Sequence, residues 1–258
     1  MKLRLLPSTI EPDGRASLRQ HHSCFVIDGS VAIDAGSLAT SATRDEFENV
    51  RDIVLSHAHL DHISGLPLFI DDLFPSLKEP VRVHASRPVI DALEQHVFNW
   101  VVYPRFSELN NDHGPVIGYH EFVNAKTFEV RHLSVTPIDV NHKVPSSGFV
   151  ISDGKTTVAI SGDTAEAGGF WDFTNGLQAL DALFIECAFP NEHEELAKKS
   201  FHLTPRKLER ELARFKNKTT AIFAINLKPA YYDSIIEELI ALKLDRLEVM
   251  EPGRVYEF

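Results

Sequence analysis

Short apolar runs alternate along most of this chain with segments whose apolar residues recur at helical spacing. Residues 2–6, 24–27 and 31–33 open it as strands, and Asp28-Gly29-Ser30 between the last two is a hairpin turn signal. Asp34-Ala35-Gly36 ends that meander. Further runs at 53–55, 81–83, 158–160, 183–185 and 221–225 are almost wholly apolar, which suits strands covered on both faces. Val89, Leu93 and Val97 form a helical stripe, as do Leu208, Leu212 and Phe215 after a Thr204-Pro205 start, and Ile236, Leu239, Ile240 and Leu242. The pattern predicts a mixed α/β protein in which helices cover buried strands.

Polar residues stand at or just beyond the ends of these runs. His57 follows Leu55-Ser56, Asp163 follows Ile160-Ser161-Gly162, Glu186 follows Ile185 and Asn226 follows Ile225. Open α/β sheets place ligands at the carboxyl ends of their strands, so the chemistry is expected along one edge. No low-complexity stretch, long like-charge run or solenoid repeat marks a linker, and residues 1–258 read as one domain. A chain of that length builds its core without a structural metal, so a metal site in it reads as functional.

Composition narrows the partners. No run approaches the roughly 18 apolar residues that span a bilayer, and no signal-type apolar segment opens the chain, so a cytoplasmic protein without a membrane partner is expected. Cys24 and Cys187 lie in apolar runs and read as buried free thiols. Lys plus Arg is 26 against 37 Asp plus Glu, a net charge of −11 that disfavours a grip on long nucleic acid.

The 13 histidines matter where they cluster. His57-Ala58-His59-Leu60-Asp61-His62 packs three imidazoles and a carboxylate between two apolar stretches. Successive residues leave a tight loop in different directions, so His57 and His59 face one cation and Asp61 and His62 a second. Imidazole with carboxylate suits Zn²⁺, Mn²⁺ or Fe²⁺. His21, His22, His84, His96, His113, His120, His132 and His193 show no ligand spacing beyond the adjacent pair and read as surface or hydrogen-bonded residues. The aromatic segment 98–106 reads as a hydrophobic lid or dimer contact, with base stacking as the alternative, and Lys228 as an exposed loop lysine.

His-x-His-x-Asp-His after a buried strand resembles the hallmark of the metallo-β-lactamase superfamily. The resemblance continues in order through His142, Asp163 and the His202-Leu203-Thr204-Pro205 stretch. It implies an α/β fold of four layers, an αββα sandwich, with His57, His59 and His142 on one divalent metal, Asp61 and His62 on another, and Asp163 bridging. Two zinc ions, or manganese or iron, are the implied cofactors. Segments 59–66, 185–191 and 202–205 are most similar to class II cyclic-nucleotide phosphodiesterases and are also similar to ribonuclease Z.

That likeness implies a phosphodiesterase that hydrolyses 3',5'-cyclic nucleotides, cyclic AMP or cyclic GMP, to 5'-monophosphates with a metal-activated hydroxide. His202 would protonate the leaving oxygen, Glu186 would orient His202, and Asp61 completes the implied catalytic set. A homodimer is implied in the same way. A small phosphodiester tolerates the acidic surface, because bound cations are the largest local charges. Ribonuclease Z-like RNA processing is the alternative, and the interval from His142 to Asp163 leaves no room there for a long substrate-gripping arm. One departure stands out: the superfamily's last ligand is a histidine, and here that position is Asn226. An amide oxygen is a weaker ligand for a borderline metal, so the second site favours a harder cation, holds its ion loosely, or belongs to a degenerate metal-containing binding protein.

Overall fold

Two seven-stranded sheets organise residues 1–258, all of which the computed structural model describes. The strands of the first half are β1 (Lys2–Leu5), β2 (Phe25–Ile27), β3 (Val31–Ile33), β4 (Asp52–Val54), β5 (Val81–Ala85), β6 (Asn110–Asn111), β7 (Gly114–Pro115) and β8 (Ile117–Glu121). Those of the second are β9 (Phe128–Val130), β10 (Leu133–Asp139), β11 (Ser147–Ser152), β12 (Thr157–Ile160), β13 (Ala182–Glu186), β14 (Ala221–Ile225), β15 (Leu247–Val249) and β16 (Val255–Glu257). One sheet runs β16-β1-β2-β3-β4-β5-β8 and the other β15-β14-β13-β12-β11-β10-β9, while β6 and β7 form a separate ribbon.

Both sheets follow one plan, a run of antiparallel neighbours passing into parallel ones. In the first the change comes at β3, which pairs antiparallel with β2 and parallel with β4. In the second it comes at β12, between antiparallel β11 and parallel β13. The carboxyl ends of β3 and β4, and those of β12, β13 and β14, therefore each open on one edge.

Three apolar layers separate four structural ones. Leu3, Phe25, Ile33 and Val54 of the first sheet bury against Phe149, Ile160, Phe184 and Phe223 of the second. The outer face of the first sheet, including Ala32, Ile53 and Val83, packs on Leu66, Phe69, Ile70 and Leu93 from helices. The outer face of the second, including Ala159, Leu183 and Ile222, packs on Trp171, Leu208, Ile235 and Leu239. The result is the αββα sandwich expected from the sequence, and no helix is long and apolar enough to cross a membrane.

The helix Pro205–Leu212 starts as its sequence predicts, with proline in the first turn and the Thr204 hydroxyl accepting from the Lys207 N–H. The helix Tyr232–Ala241 differs in the face it buries. Ile235 and Leu239, four apart, point inward, whereas Ile240 is 72% exposed. Strands β8 to β11, β15 and β16 were not evident from apolar runs. Pro137 sits inside β10, where its missing N–H costs little, because the ladder with β9 reaches only from Leu133 to Val135 and Ala125 N–H donates to the Pro137 carbonyl on that side. Cys24 and Cys187 are buried and free.

Candidate metal centre

The histidine motif begins directly after β4. Val54 pairs with Ile33 across the parallel ladder, so the chain leaving β4 lies beside Asp34, the residue after β3. His59 then caps the short helix Leu60–Ile63, which carries Asp61 and His62. Two backbone bonds pin that helix: Ser23 N–H donates to the Asp61 carbonyl at 2.8 Å, and Ala35 N–H to the His62 carbonyl at 2.7 Å. Gly36 is what lets the chains approach so closely, since a Cβ there would collide with the Asp61 carbonyl. Asp34 and Asn226 both adopt left-handed backbone, with φ of 59° and 58°, a conformation that short Asp and Asn side chains tolerate.

Side chains from both sheets converge here in three overlapping groups. His57, His59, His142 and Asp163 form one, Asp61, His62 and Asp163 a second, and Asp163, Glu186 and His202 a third, the ligand atoms of each lying within 4.8 Å of one another. Asp163 belongs to all three. Its Oδ2 lies 3.8 Å from His57 Nε2 and 3.5 Å from His62 Nε2. The His59 and His142 rings approach each other at 3.2 Å between Nδ1 and Nε2. The structure thus brings together every motif residue that the sequence singled out.

Asn226 joins them as a hydrogen-bond donor, its Nδ2 donating to Asp163 Oδ1 at 2.6 Å. Lys228, read from sequence as a free loop lysine, instead pairs with Asp61 Oδ2 at 3.3 Å. Segment 98–106 divides: Phe98 and Phe106 are core, while Trp100, Val101 and Val102 are exposed. None of its residues lines the two cavities flanking the motif, one of about 210 Å³ beside Asp61 and Asn226 and one of about 550 Å³ beside His142 and Lys143.

Burial and charge set the protonation. Burial pushes His57 well below the ordinary histidine value and lowers His59 and His142, leaving neutral imidazoles with lone pairs to offer. The buried His57 Nε2 has no hydrogen-bond partner. A buried lone pair facing a carboxylate and two more imidazoles fits a divalent cation. Burial works against a charged His62, but Asp34 and Asp163 on either side outweigh it and raise its pKa well above normal. Asp163 is held well below the carboxylate range, its burial overcome by His62, His57 and His202.

Glu186 and His202 form a pair at the edge of the centre. The His202 Nδ1 lies 2.8 Å from Glu186 Oε1, which also accepts from the Thr164 N–H at 2.8 Å, and Glu186 Oε2 accepts from the Leu203 N–H at 3.1 Å. Glu186 is wholly buried and His202 is 6% exposed. Burial opposes the imidazolium, yet the carboxylate prevails and raises the His202 pKa.

Sequence reasoning assigns no site role to Asp34, Ser56 or Gln20 and reads His22 as a surface or hydrogen-bonded residue. Asp34 accepts from His62 Nδ1 at 2.7 Å, from Ser56 N–H at 2.8 Å and from Ser56 Oγ at 2.9 Å. Its signal was available, a carboxylate just after an apolar strand like Asp163. His22 and Gln20 line the smaller cavity together with Asp61, His62, Asp163 and Asn226. Among the remaining histidines, His84 bonds Asp52 at 3.0 Å and His132 bonds Asp28 at 2.8 Å, in keeping with structural roles.

Known proteins are similar to this chain in sequence and in fold. A protein of Yersinia pestis named "Probable 3',5'-cyclic-nucleotide phosphodiesterase" is 28% identical over 211 residues, 73% of this chain and 58% of the relative. A chloroplastic tRNase Z of Arabidopsis thaliana is 25% identical over 140 residues, 52% of this chain and 35% of the relative. The chain therefore spans 58% and 35% of the lengths of these two curated relatives. Unliganded yeast PDE1 has the same fold, with a TM-score of 0.78 at 16% identity over 98% of each chain. A model of the beta-lactamase superfamily domain matches residues 25–223, most of the 258, and the chain belongs to that family.

Proposed function

We propose that this protein is a two-metal phosphodiesterase that opens 3',5'-cyclic nucleotides to 5'-monophosphates. The observation that carries the reading is the sharing of Asp163 between two ligand groups, with the Glu186–His202 pair forming the third group around the same carboxylate. His57, His59 and His142 would hold one cation, Asp61 and His62 the other, with Asp163 between them. Two bound divalent ions, zinc or else manganese or iron, supply charge stabilisation for the phosphodiester oxygens and lower the pKa of a water toward neutrality.

The chain's own residues would do the rest. Breaking the bond from phosphorus to the 3'-oxygen expels an alkoxide, and a positioned acid is needed most at that step. His202 is the acid: Glu186 favours its protonated form and holds Nδ1, which leaves Nε2–H to donate. Glu186 cannot swing away, because two backbone N–H groups grip its oxygens. The net charge of −11 and the name of the Yersinia relative both favour a small substrate.

A tRNase Z-like activity is the second reading, favoured by the Arabidopsis relative. Assaying cyclic AMP, cyclic GMP and a precursor tRNA at 50 and 200 mM salt separates the two. Cyclic-nucleotide turnover with little salt dependence supports the proposal. Cleavage of the tRNA alone, falling steeply with salt as phosphate contacts are screened, replaces it with the second reading. Metal binding without turnover of any of the three assigns a binding role instead.

A further inference from the structure

Three buried side-chain polar atoms in the molecule have no hydrogen-bond partner: His57 Nε2, Gln20 Oε1 and His22 Nδ1. Such atoms are rare in folded proteins, and each calls for a missing partner. For His57 the cation of the first ligand group answers that need. The other two belong to residues lining the cavity that Asp61, His62, Asp163 and Asn226 also line.

That cavity is where ligands are short. Asp61, His62 and Asp163 make up the second group, and Asn226 turns an amide nitrogen, which has no lone pair to give, toward Asp163. Zinc is usually four-coordinate, with water often in the fourth position of a catalytic site, and because Asp163 is shared with the first group the second cation has only Asp61 and His62 to itself. Resting on the two-metal reading above, we propose that His22 is the fourth protein ligand of that second cation, at the place where Asn226 instead donates to Asp163.

The local chemistry supports ligation through His22 Nε2. That atom makes no hydrogen bond and is not among the buried unpartnered atoms, so it is accessible, and His22 lines the cavity. Ligating imidazoles donate their other N–H to an oxygen, which fixes the tautomer and the ring. Gln20 Oε1, two residues away and equally without a partner, is such an oxygen. A bond from His22 Nδ1–H to Gln20 Oε1 satisfies both buried atoms at once. Gln20 is already anchored, its Nε2 donating to the Leu6 carbonyl at 2.9 Å and to the His22 carbonyl. The backbone beside His22 is tied to the second group by Ser23 N–H on the Asp61 carbonyl, and the His22 Cβ lies against Gly36, where the Asp61 carbonyl also packs. The His22 ring lies outside the set of atoms within 4.8 Å of one another, so ligation requires its side chain to turn toward Asp61 within the cavity that both residues line.

The test counts bound Zn²⁺ and Mn²⁺ by equilibrium dialysis and plasma mass spectrometry on wild type, His22→Ala and the double variant His22→Ala with Asn226→His. Loss of an outer partner alone costs metal affinity about 10–100-fold, so His22→Ala should weaken the second site by about 100-fold or more and leave the first unchanged. Asn226→His should restore it, since histidine also tolerates the left-handed φ of 58° at that position. In wild type, the His22 ¹⁵N resonances should move to the metal-bound range on the second equivalent of Zn²⁺, a readout that survives even if the variant fails to fold. Two sites of unchanged affinity in His22→Ala, or a His22 resonance indifferent to the second equivalent, would overturn the proposal and leave the two-metal reading standing. A single site in wild type would overturn both.

Discussion

Replacing Asp34 by asparagine keeps the side chain's shape while removing a charge and turning one acceptor into a donor. In the native arrangement Oδ1 accepts from both Ser56 N–H and Oγ, and Oδ2 accepts from His62 Nδ1 at 2.7 Å. That bond keeps a proton on Nδ1, so Nε2, 3.5 Å from Asp163 Oδ2, can offer its lone pair to a cation. In Asp34→Asn the amide oxygen stays with Ser56 and the NH₂ faces His62 Nδ1, which must then accept. The imidazole proton moves to Nε2 and the ligand is lost. Outer partners of metal-bound histidines are worth 10–100-fold in affinity, about 1.4–2.7 kcal/mol at 1.36 kcal/mol per decade. Reversal of the tautomer places this variant at the upper end, about 100-fold, at the second site only. The first group reaches Asp34 only through Ser56, whose Oγ stays with the amide oxygen and lies 3.0 Å from His57 Nδ1, while His142 Nδ1 is held by the Phe201 carbonyl at 3.1 Å. If the amide instead flips, its NH₂ meets the buried Ser56 N–H, and the cost appears as about 1–3 kcal/mol of folding stability. Calorimetric zinc titration together with urea denaturation reads both outcomes. Second-site affinity within about threefold of wild type at unchanged stability would refute the reasoning.

Glu186→Gln should move the alkaline limb of the pH–rate profile to lower pH. The carboxylate raises the His202 pKa against the opposing effect of burial, so the acid form is full below that raised value and lost as pH rises through it, and without the charge the loss begins earlier. Hydrolysis of cyclic AMP or cyclic GMP across pH, in which the leaving group is an alkoxide that needs the acid, reads the limb, and an unmoved limb would remove Glu186 from its role. Asp163→Ala should abolish turnover and reduce bound metal, whereas His202→Ala should keep both ions and lose about 10²–10⁴-fold in turnover; equal metal loss in the two variants would contradict the assigned roles. Asp52 lies far from the motif in function: it is 3% exposed and accepts from Arg82 at 2.7 Å through each oxygen, from His84 at 3.0 Å and from Arg131 at 3.1 Å. Burial alone would raise its pKa, but these partners depress it well below the carboxylate range, so its stabilising contribution is present above about pH 4 and lost as pH falls. Asp52→Asn should therefore cost about 2–3 kcal/mol at pH 7, less than a fully buried pair because Arg82 is partly exposed, and the gap from wild type should shrink in acid. Urea denaturation at both pH values checks it.

The parts of the fold legible in the sequence are those whose cause is local. Strands β12, β13 and β14, covered on both faces, show as apolar runs, and the helix starting at Pro205 shows by its cap. Strands such as β8, with Gly118, His120 and Glu121, and β10, with Pro137, take their identity from pairing partners rather than from composition. The stripe around Ile240 mixed two faces because four apolar residues in seven positions fit more than one helical phase. The site divides in the same way. His57, His59, Asp61 and His62 crowd one turn and are visible at once, and Asp163, Glu186 and Asn226 stand out at the ends of apolar runs. Asp34 lies 28 positions from His62, and only the parallel register of β3 with β4 brings the two together. His22 precedes a strand in a stretch with no spacing signal, and its place beside Asp61 depends on a backbone bond between residues far apart in the chain.

Counting the cations tests the shared-Asp163 centre most directly. Protein purified without chelator should carry near two divalent ions per chain by plasma mass spectrometry, and the same sample should convert cyclic AMP or cyclic GMP to the 5'-monophosphate. Titrating ions out with a chelator and back in with Zn²⁺ or Mn²⁺ should make turnover follow occupancy of the second site. One ion or fewer per chain after Mn²⁺ is added, with neither cyclic nucleotide hydrolysed, would contradict a two-metal phosphodiesterase.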